Sequence, residues 1–266
     1  MHLAHATWPQ VRDYLEAHDG IVIPLGSIEQ HGPTGYFGTD SICARAIAES
    51  AAESRDDILV APVMSYAPAQ FNLGFAGSIS VRSTTLIELV KDVVNSLATG
   101  GFRRFYFLNG HGANIAPVRC AIHDLYHAVS TGQSAAGGLD FRLRSWWELP
   151  GVDALRQRMF GDREGIHATP SEIAITLAAS ESRPARSEAA FRALDPAEIR
   201  EHAGDNHQDA KRHREAFPDG CVGSDPAMAS KALGEEILAE AARAFRNDYL
   251  EFTAASSLPS ERPHAQ

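Results

Sequence analysis

Ile21-Val22-Ile23-Pro24-Leu25-Gly26-Ser27-Ile28-Glu29-Gln30-His31-Gly32-Pro33, running on to Gly38-Thr39-Asp40, decides how this chain of 266 residues is read. A short apolar run ends abruptly in a carboxylate and an imidazole, and a second carboxylate follows nine residues after His31. The run reads as a buried strand. Residues two apart on an extended chain project to the same side, so Glu29 and His31 reach one point in space. The Gly/Pro-rich loop returns Asp40 to the same point, which is the pattern of a metal site.

Arg104-Phe105-Tyr106-Phe107-Leu108 is a second short apolar run, and it ends in Asn109-Gly110-His111-Gly112-Ala113-Asn114. Each run therefore terminates in a glycine-flanked histidine. In open α/β sheets ligands bind beyond the carboxyl ends of the strands, where Glu29, His31 and His111 would lie. Glu29, His31, Asp40 and His111 form a mixed oxygen and nitrogen donor set. It suits Zn2+, Mn2+ or Fe2+ and argues against a structural thiolate site.

These motifs resemble the creatininase family of metal-dependent amidohydrolases. Gly26 to Pro33 with Asp40 matches its Gly-Ser-x-Glu-Gln-His-Gly-Pro…Asp motif, and Asn109 to Asn114 matches Asn-Gly-His-Gly-x-Asn. His167 to Glu172 matches His-Ala-x-x-x-Glu, and Phe75 to Ser80 and Val222 to Pro226 are similar to further family stretches. The resemblance runs from about residue 8 to residue 248. It implies a three-layer αβα sandwich with a mostly parallel central sheet and a centre of two divalent ions, Zn2+ foremost, with Mn2+ and Fe2+ as alternatives. Glu29 and His111 would hold one ion, His31 the other, and Asp40 would bridge them around a water. Creatininase proper carries Tyr-Glu after the histidine of the second motif, where this chain has Gly112 and Ala113. A methyl group cannot coordinate, so the second ion needs Glu172 or a water in place of that glutamate. The resemblance also implies a closed homo-oligomer, a hexamer, and a small-molecule amide as substrate.

His167 is the candidate for acid–base work, because a neutral imidazole titrates near working pH and carries a proton to a departing nitrogen. Its plainer reading is a loop histidine bonded to Asp162 or Glu164. Glu172 stands in the first turn of a helix after Pro170-Ser171, where an acid also favours the dipole, so ligand and cap both remain open. Trp146 and Trp147 follow a strand and offer an aromatic wall. With Ser78 and Gly112 they make up the expected substrate-binding set. His123-Asp124-Leu125-Tyr126-His127 imitates the HExxH helix of zinc proteases, but it carries Asp where Glu is required and reads as a solvated face. His2, His5, His18, His202 and His213 have no partner pattern and are expected to be exposed.

With 24 Lys+Arg against 34 Asp+Glu the net charge is −10, which disfavours nucleic acid as a partner. The three cysteines, Cys43, Cys120 and Cys221, form no CxxC pair. No stretch approaches the ~18 apolar residues of a membrane span, and no apolar leader follows Met1, so the expected location is cytoplasmic.

Helical spacing marks Trp8 to Leu15, Ser41 to Ser54, Thr85 to Ala98, Ile115 to Val129, Ser171 to Ser180 and Ala227 to Tyr249. Strands are expected at Ile58 to Met64 and Asp140 to Ser145 as well as in the two motif runs. This alternation predicts one α/β domain over residues 1–253 with a parallel-rich sheet covered on both faces, and a loose tail over 254–266. The chemistry that fits is hydrolysis of a non-peptide amide C–N bond, linear or cyclic, with a lyase or isomerase acting on a small sugar or keto acid as the alternative.

Overall fold

The computed structural model describes residues 1–133, 137–180, 192–195, 198 and 209–255. The expected tail beyond 255, the middle of the Gly132–Gly138 loop and His202 lie outside the described residues. Three strands form a parallel sheet in the order β1 (Gly20–Leu25), β2 (Arg104–Asn109), β3 (Asp140–Ser145). Their C-terminal ends are level, since Leu25 pairs with Asn109 and Asn109 with Ser145. The segments leaving the three strands therefore open on one edge of the sheet.

Strand alternation sends neighbouring residues to opposite faces, and two cores result. Ile21, Ile23, Leu25, Phe105 and Phe107 pack on α3 (Ser83–Thr99) and α4 (Ile115–Ser130), with Tyr14 of α1 (Trp8–Leu15) joining them. Val22, Tyr106 and Leu108 pack on α2 (Thr39–Ala52), α6 (Pro170–Ala179) and the long C-terminal α8 (Lys231–Ala254). The three-layer α/β architecture is the one the sequence predicts. Two further helices, α5 (Val152–Phe160) and α7 (Ala210–Ala216), were not predicted.

The segment Ile58 to Met64 departs from its expected strand. It runs beside β1 through single bridges of Val22 with Val60 and of Leu25 with Met64. Met64 N–H donates to the Pro24 carbonyl at 3.0 Å, but Pro24 has no N–H to return. A proline facing the ladder interrupts it. His213 also departs from expectation: only 1% exposed, it packs its ring against Phe71 and Phe217. His123 and His127 are exposed on α4, as a solvated face requires.

Glycine at position 110 lets the β2 loop press against the start of α2. A Cβ there would meet the Asp40 carbonyl oxygen well inside 3.0 Å, with the Asp40 carbonyl carbon and the Leu25 carbonyl oxygen next, and all three are backbone that cannot swing away. Gly110→Ala is therefore expected to lower stability by about 1–3 kcal/mol through overpacking. The check is a urea unfolding midpoint, and a midpoint equal to wild type would refute it.

Candidate metal centre

The loop after β1 delivers Glu29 and His31, the first turn of α2 delivers Asp40, the loop after β2 delivers His111, and the first turn of α6 delivers Glu172. Asparagine side chains tie the first and third of these together. Asn109 Oδ1 accepts from His111 N–H at 3.1 Å and from Asn114 Nδ2 at 3.2 Å, and the same Asn114 amide donates to the Gly26 carbonyl at 3.1 Å. Asp40 caps nothing, because the residue preceding α2 is Gly38 and no side chain caps the helix.

Asp40 sits between two groups of donors. Its Oδ2 is 3.1 Å from His111 Nδ1, which is also 3.1 Å from Glu29 Oε1. Its Oδ1 is 2.9 Å from His31 Nε2, which lies 3.9 Å from Glu172 Oε1. Glu29, Asp40 and His111 thus offer one set of donor atoms within 4.8 Å of each other, and His31, Asp40 and Glu172 offer a second. Glu29, His31 and His167 form a third such set. Each imidazole is oriented by a backbone carbonyl on its far nitrogen. His111 Nε2 bonds the Pro68 carbonyl at 2.8 Å, and His31 Nδ1 bonds the Glu29 carbonyl at 3.1 Å. Ser27 Oγ donates to Asp40 Oδ2 at 2.7 Å.

Three carboxylates are buried here, with Glu29 at 1%, Asp40 at 3% and Glu172 at 8% exposure. Burial opposes ionisation of Asp40 and Glu29, yet the facing imidazoles win: His31 holds Asp40 well below its ordinary pKa, and His111 holds Glu29 down. In return, burial opposes protonation of the imidazoles, but Asp40 lifts His31 to about 10 and Glu29 lifts His111 well above its usual value. Glu172 is different, because burial outweighs His31 and pushes it up to about 7. His167 is lowered to about 3, by burial first and then by the His31 charge. The facing carboxylates favour a positive charge at both imidazoles, the place where bound cations would balance them. That donor set fits divalent cations: buried anions in oxygen and nitrogen company, with each histidine pre-aimed by a carbonyl.

A cavity of about 310 Å3 opens over this cluster, lined by Glu29, Asp40, His111, Glu172, His167, Gly112, Ala113 and both tryptophans among others. Trp146 is fully buried and meets half-buried Trp147 edge to face at 5.9 Å. Ser78 is placed elsewhere: its hydroxyl accepts from the Gln30 N–H at 3.1 Å and is not part of the cavity wall. Glu172 does cap α6, with Oε1 accepting from Thr169 N–H at 2.6 Å, while standing within reach of His31. Among the described residues His167 pairs with Gln30 and Glu29 rather than with Asp162 or Glu164, and its Nδ1 lies 3.7 Å from Glu29 Oε1.

Two parts of the site had no signal in the sequence. Asn72, from a loop between β1 and β2, donates to Glu29 Oε2 at 2.8 Å. Arg156 of α5 lines the cavity, 5.4 Å over the Trp146 ring, and is held by Glu164 Oε1 at 2.7 Å. Ser171 Oγ donates to the same carboxylate oxygen.

The arrangement has relatives. A 3-dehydro-scyllo-inosose hydrolase of Thermotoga maritima is 31% identical over 117 residues, 44% of this chain and 37% of that protein. A mycofactocin precursor peptide peptidase of Mycobacterium tuberculosis is 36% identical over 111 residues, 38% of this chain and 44% of that protein. The chain thus spans less than half the length of these curated relatives. A crystal structure of creatinine amidohydrolase superposes with a TM-score of 0.78 at 21% identity, covering 96% of this chain and 98% of that one. That likeness is one of fold. The family profile described as creatinine amidohydrolase matches residues 4–247, which takes in every donor described above, and on that match the chain belongs to the creatininase family.

Proposed function

We propose that this chain is a metal-dependent hydrolase that cleaves a non-peptide amide C–N bond, linear amide, formamide or cyclic amide, in a small molecule. The observation that carries the reading is Asp40, whose two oxygens each face a different imidazole, each with a further carboxylate beside it. Glu29, Asp40 and His111 would hold one ion, and His31, Asp40 and Glu172 the other. Glu172 then takes the place of the glutamate that Ala113 lacks. Solved creatininases include a manganese form and a Zn–Zn form, which supports the same class of ion here. When bound, such ions acidify a shared water toward neutrality and polarise a carbonyl oxygen.

The chain's own residues do the rest. Pro68 and Glu29 carbonyls keep His111 and His31 aimed inward. Trp146, Trp147 and Phe71 wall the cavity and limit the water around the scissile bond. His167 Nδ1, beside Glu29 on the cavity wall, takes the proton that the attacking water gives up and delivers it to the departing nitrogen. The C–O bond forms, the C–N bond breaks, and a carboxylic acid and an amine leave. The same reading proposes a closed homo-oligomer in the cytoplasm. Among the described residues, no helix is long and apolar enough to cross a membrane.

A second reading keeps the donors and changes the substrate. The Thermotoga relative is named a hydrolase of an inosose rather than of an amide, which supports a small sugar-like substrate; a metal-dependent lyase or isomerase of a small sugar or keto acid is the alternative that changes the reaction as well. Protein purified without chelator should contain about two metal equivalents per chain and hydrolyse members of a panel of small linear amides, formamides and cyclic amides. The products should carry solvent 18O. Solvent deuterium at carbon without 18O would establish the second reading, and a protein that takes up neither Zn2+ nor Mn2+ would remove the basis of both.

A further inference from the structure

We propose that Asn72 is a positioning residue of this site: it orients Glu29 directly and, by engaging the Gln30 carboxamide, keeps Gln30 Nε2 from competing with the Gln30 backbone carbonyl for His167 Nε2. The inference rests on the hydrolase reading above. Asn72 is fully buried and lies outside every motif described.

Donor accounting settles each atom in turn. The Gly32 backbone N–H, which can only donate, meets Gln30 Oε1 at 2.7 Å and so fixes the orientation of that carboxamide. Gln30 Nε2 has two protons and three neighbours: Asn72 Oδ1 at 2.8 Å, the Gly220 carbonyl at 3.0 Å and His167 Nε2 at 3.1 Å. The Gly220 carbonyl can only accept. Asn72 must turn its Nδ2 to Glu29, because an ionised carboxylate can only accept, and this leaves Asn72 Oδ1 facing Gln30. Both protons of Gln30 Nε2 are then committed. His167 Nε2 also lies 2.7 Å from the Gln30 backbone carbonyl, again an acceptor only. His167 Nε2 therefore carries the proton, and a neutral imidazole has only one. Its Nδ1 keeps a lone pair, 3.7 Å from the Oε1 of Glu29, a residue that lines the cavity with His167. Gly220, at φ +82°, makes the arrangement possible, since a Cβ there would overlap Gln30 Oε1. A single carboxamide thus links the position of a metal ligand to the tautomer of the proton carrier.

The test uses the full chain loaded with zinc and labelled with 15N-histidine, with His167→Gln supplying the assignment. The wild-type spectrum should show His167 protonated at Nε2; protonation at Nδ1 overturns the proposal without any variant. Asn72→Leu, similar in size but unable to hydrogen-bond, releases a Gln30 proton toward His167 Nε2. It should shift His167 toward the Nδ1–H form, weaken zinc binding about 10–100-fold and lower kcat by a similar factor, with KM changed less than about threefold. Asn72→Asp keeps an oxygen toward Gln30 and should retain the wild-type tautomer. A residue that only fills space would tolerate Leu better than Asp and leave both spectra unmoved, and that result would overturn the proposal. The spectra and the zinc titration need no substrate. An inactive wild-type protein would therefore count against the hydrolase reading while these two readouts still decide the role of Asn72.

Discussion

Asp40→Asn should strip both metal equivalents from the protein and lower kcat/KM by about 10³-fold or more, with the fold intact. The expectation follows from position. Asp40 is the one carboxylate shared by both donor sets, with Oδ1 at 2.9 Å from His31 and Oδ2 at 3.1 Å from His111. An amide keeps the volume and one oxygen, so the first turn of α2 and the Ser27 contact have no steric reason to change. What disappears is the charge that both ions need. Metal-ion catalysis contributes several kcal/mol of transition-state stabilisation, and each 1.36 kcal/mol is a factor of ten in rate, which sets the size of the loss. Plasma mass spectrometry for metal, circular dichroism for fold and steady-state kinetics make the comparison. His111→Ala provides the contrast: it should lose the ion of the Glu29 set first. A folded Asp40→Asn protein that retains two equivalents and wild-type turnover would refute the shared-carboxylate centre.

The donors of this centre were legible because each sits at a punctuation mark of the chain. Glu29, His31 and His111 follow directly on apolar runs that can only be buried strands, and parallel strands bring their carboxyl ends to one edge whatever connects them. Asp40 was legible once paired with Glu29 and His31, since nine residues of Gly/Pro-rich loop are enough to return it. Asn72 had no comparable signal. Its role depends on a loop folding back from between two strands, and nothing local about Gln70–Gly74 marks an asparagine as buried beside a carboxylate. Arg156 and Glu164 were invisible for a similar reason. A buried ion pair eight residues apart resembles two solvated surface charges until α5 packs against α6 and covers them. Apolar content marks Ile58 to Met64 as a strand, but Pro24 removes an N–H that its ladder with β1 needs. The local sequence around His213 suggests exposure because one of the partners that bury it, Phe71, is far away in the sequence.

Glu172 is shown as a cap and is proposed as a ligand, and the two roles can be separated. Its Oε1 accepts from Thr169 N–H in a capping box and also lies 3.9 Å from His31 Nε2. Glutamine serves that capping position as well as glutamate, so Glu172→Gln should unfold within about 0.5 kcal/mol of wild type. As a ligand, however, an amide is a poor substitute for a carboxylate. The variant should retain about one metal equivalent and lose on the order of 10²-fold or more in kcat/KM. Burial already pushes the Glu172 carboxyl up to about 7, and within the centre only the neighbouring His31 opposes this. A group in that position gains most from a cation at its side. Ala113 supplies the converse experiment. It lines the same cavity from the loop after β2. Adding Ala113→Glu to Glu172→Gln returns a carboxylate to the centre by the route that creatininase proper uses, and it should restore the second equivalent and part of the rate. If Glu172→Gln alone keeps two equivalents and full activity, Glu172 is a cap and water completes the second ion. If the single variant loses the ion and the double variant regains it, the centre needs a third carboxylate, and evolution has supplied it from a helix instead of a loop.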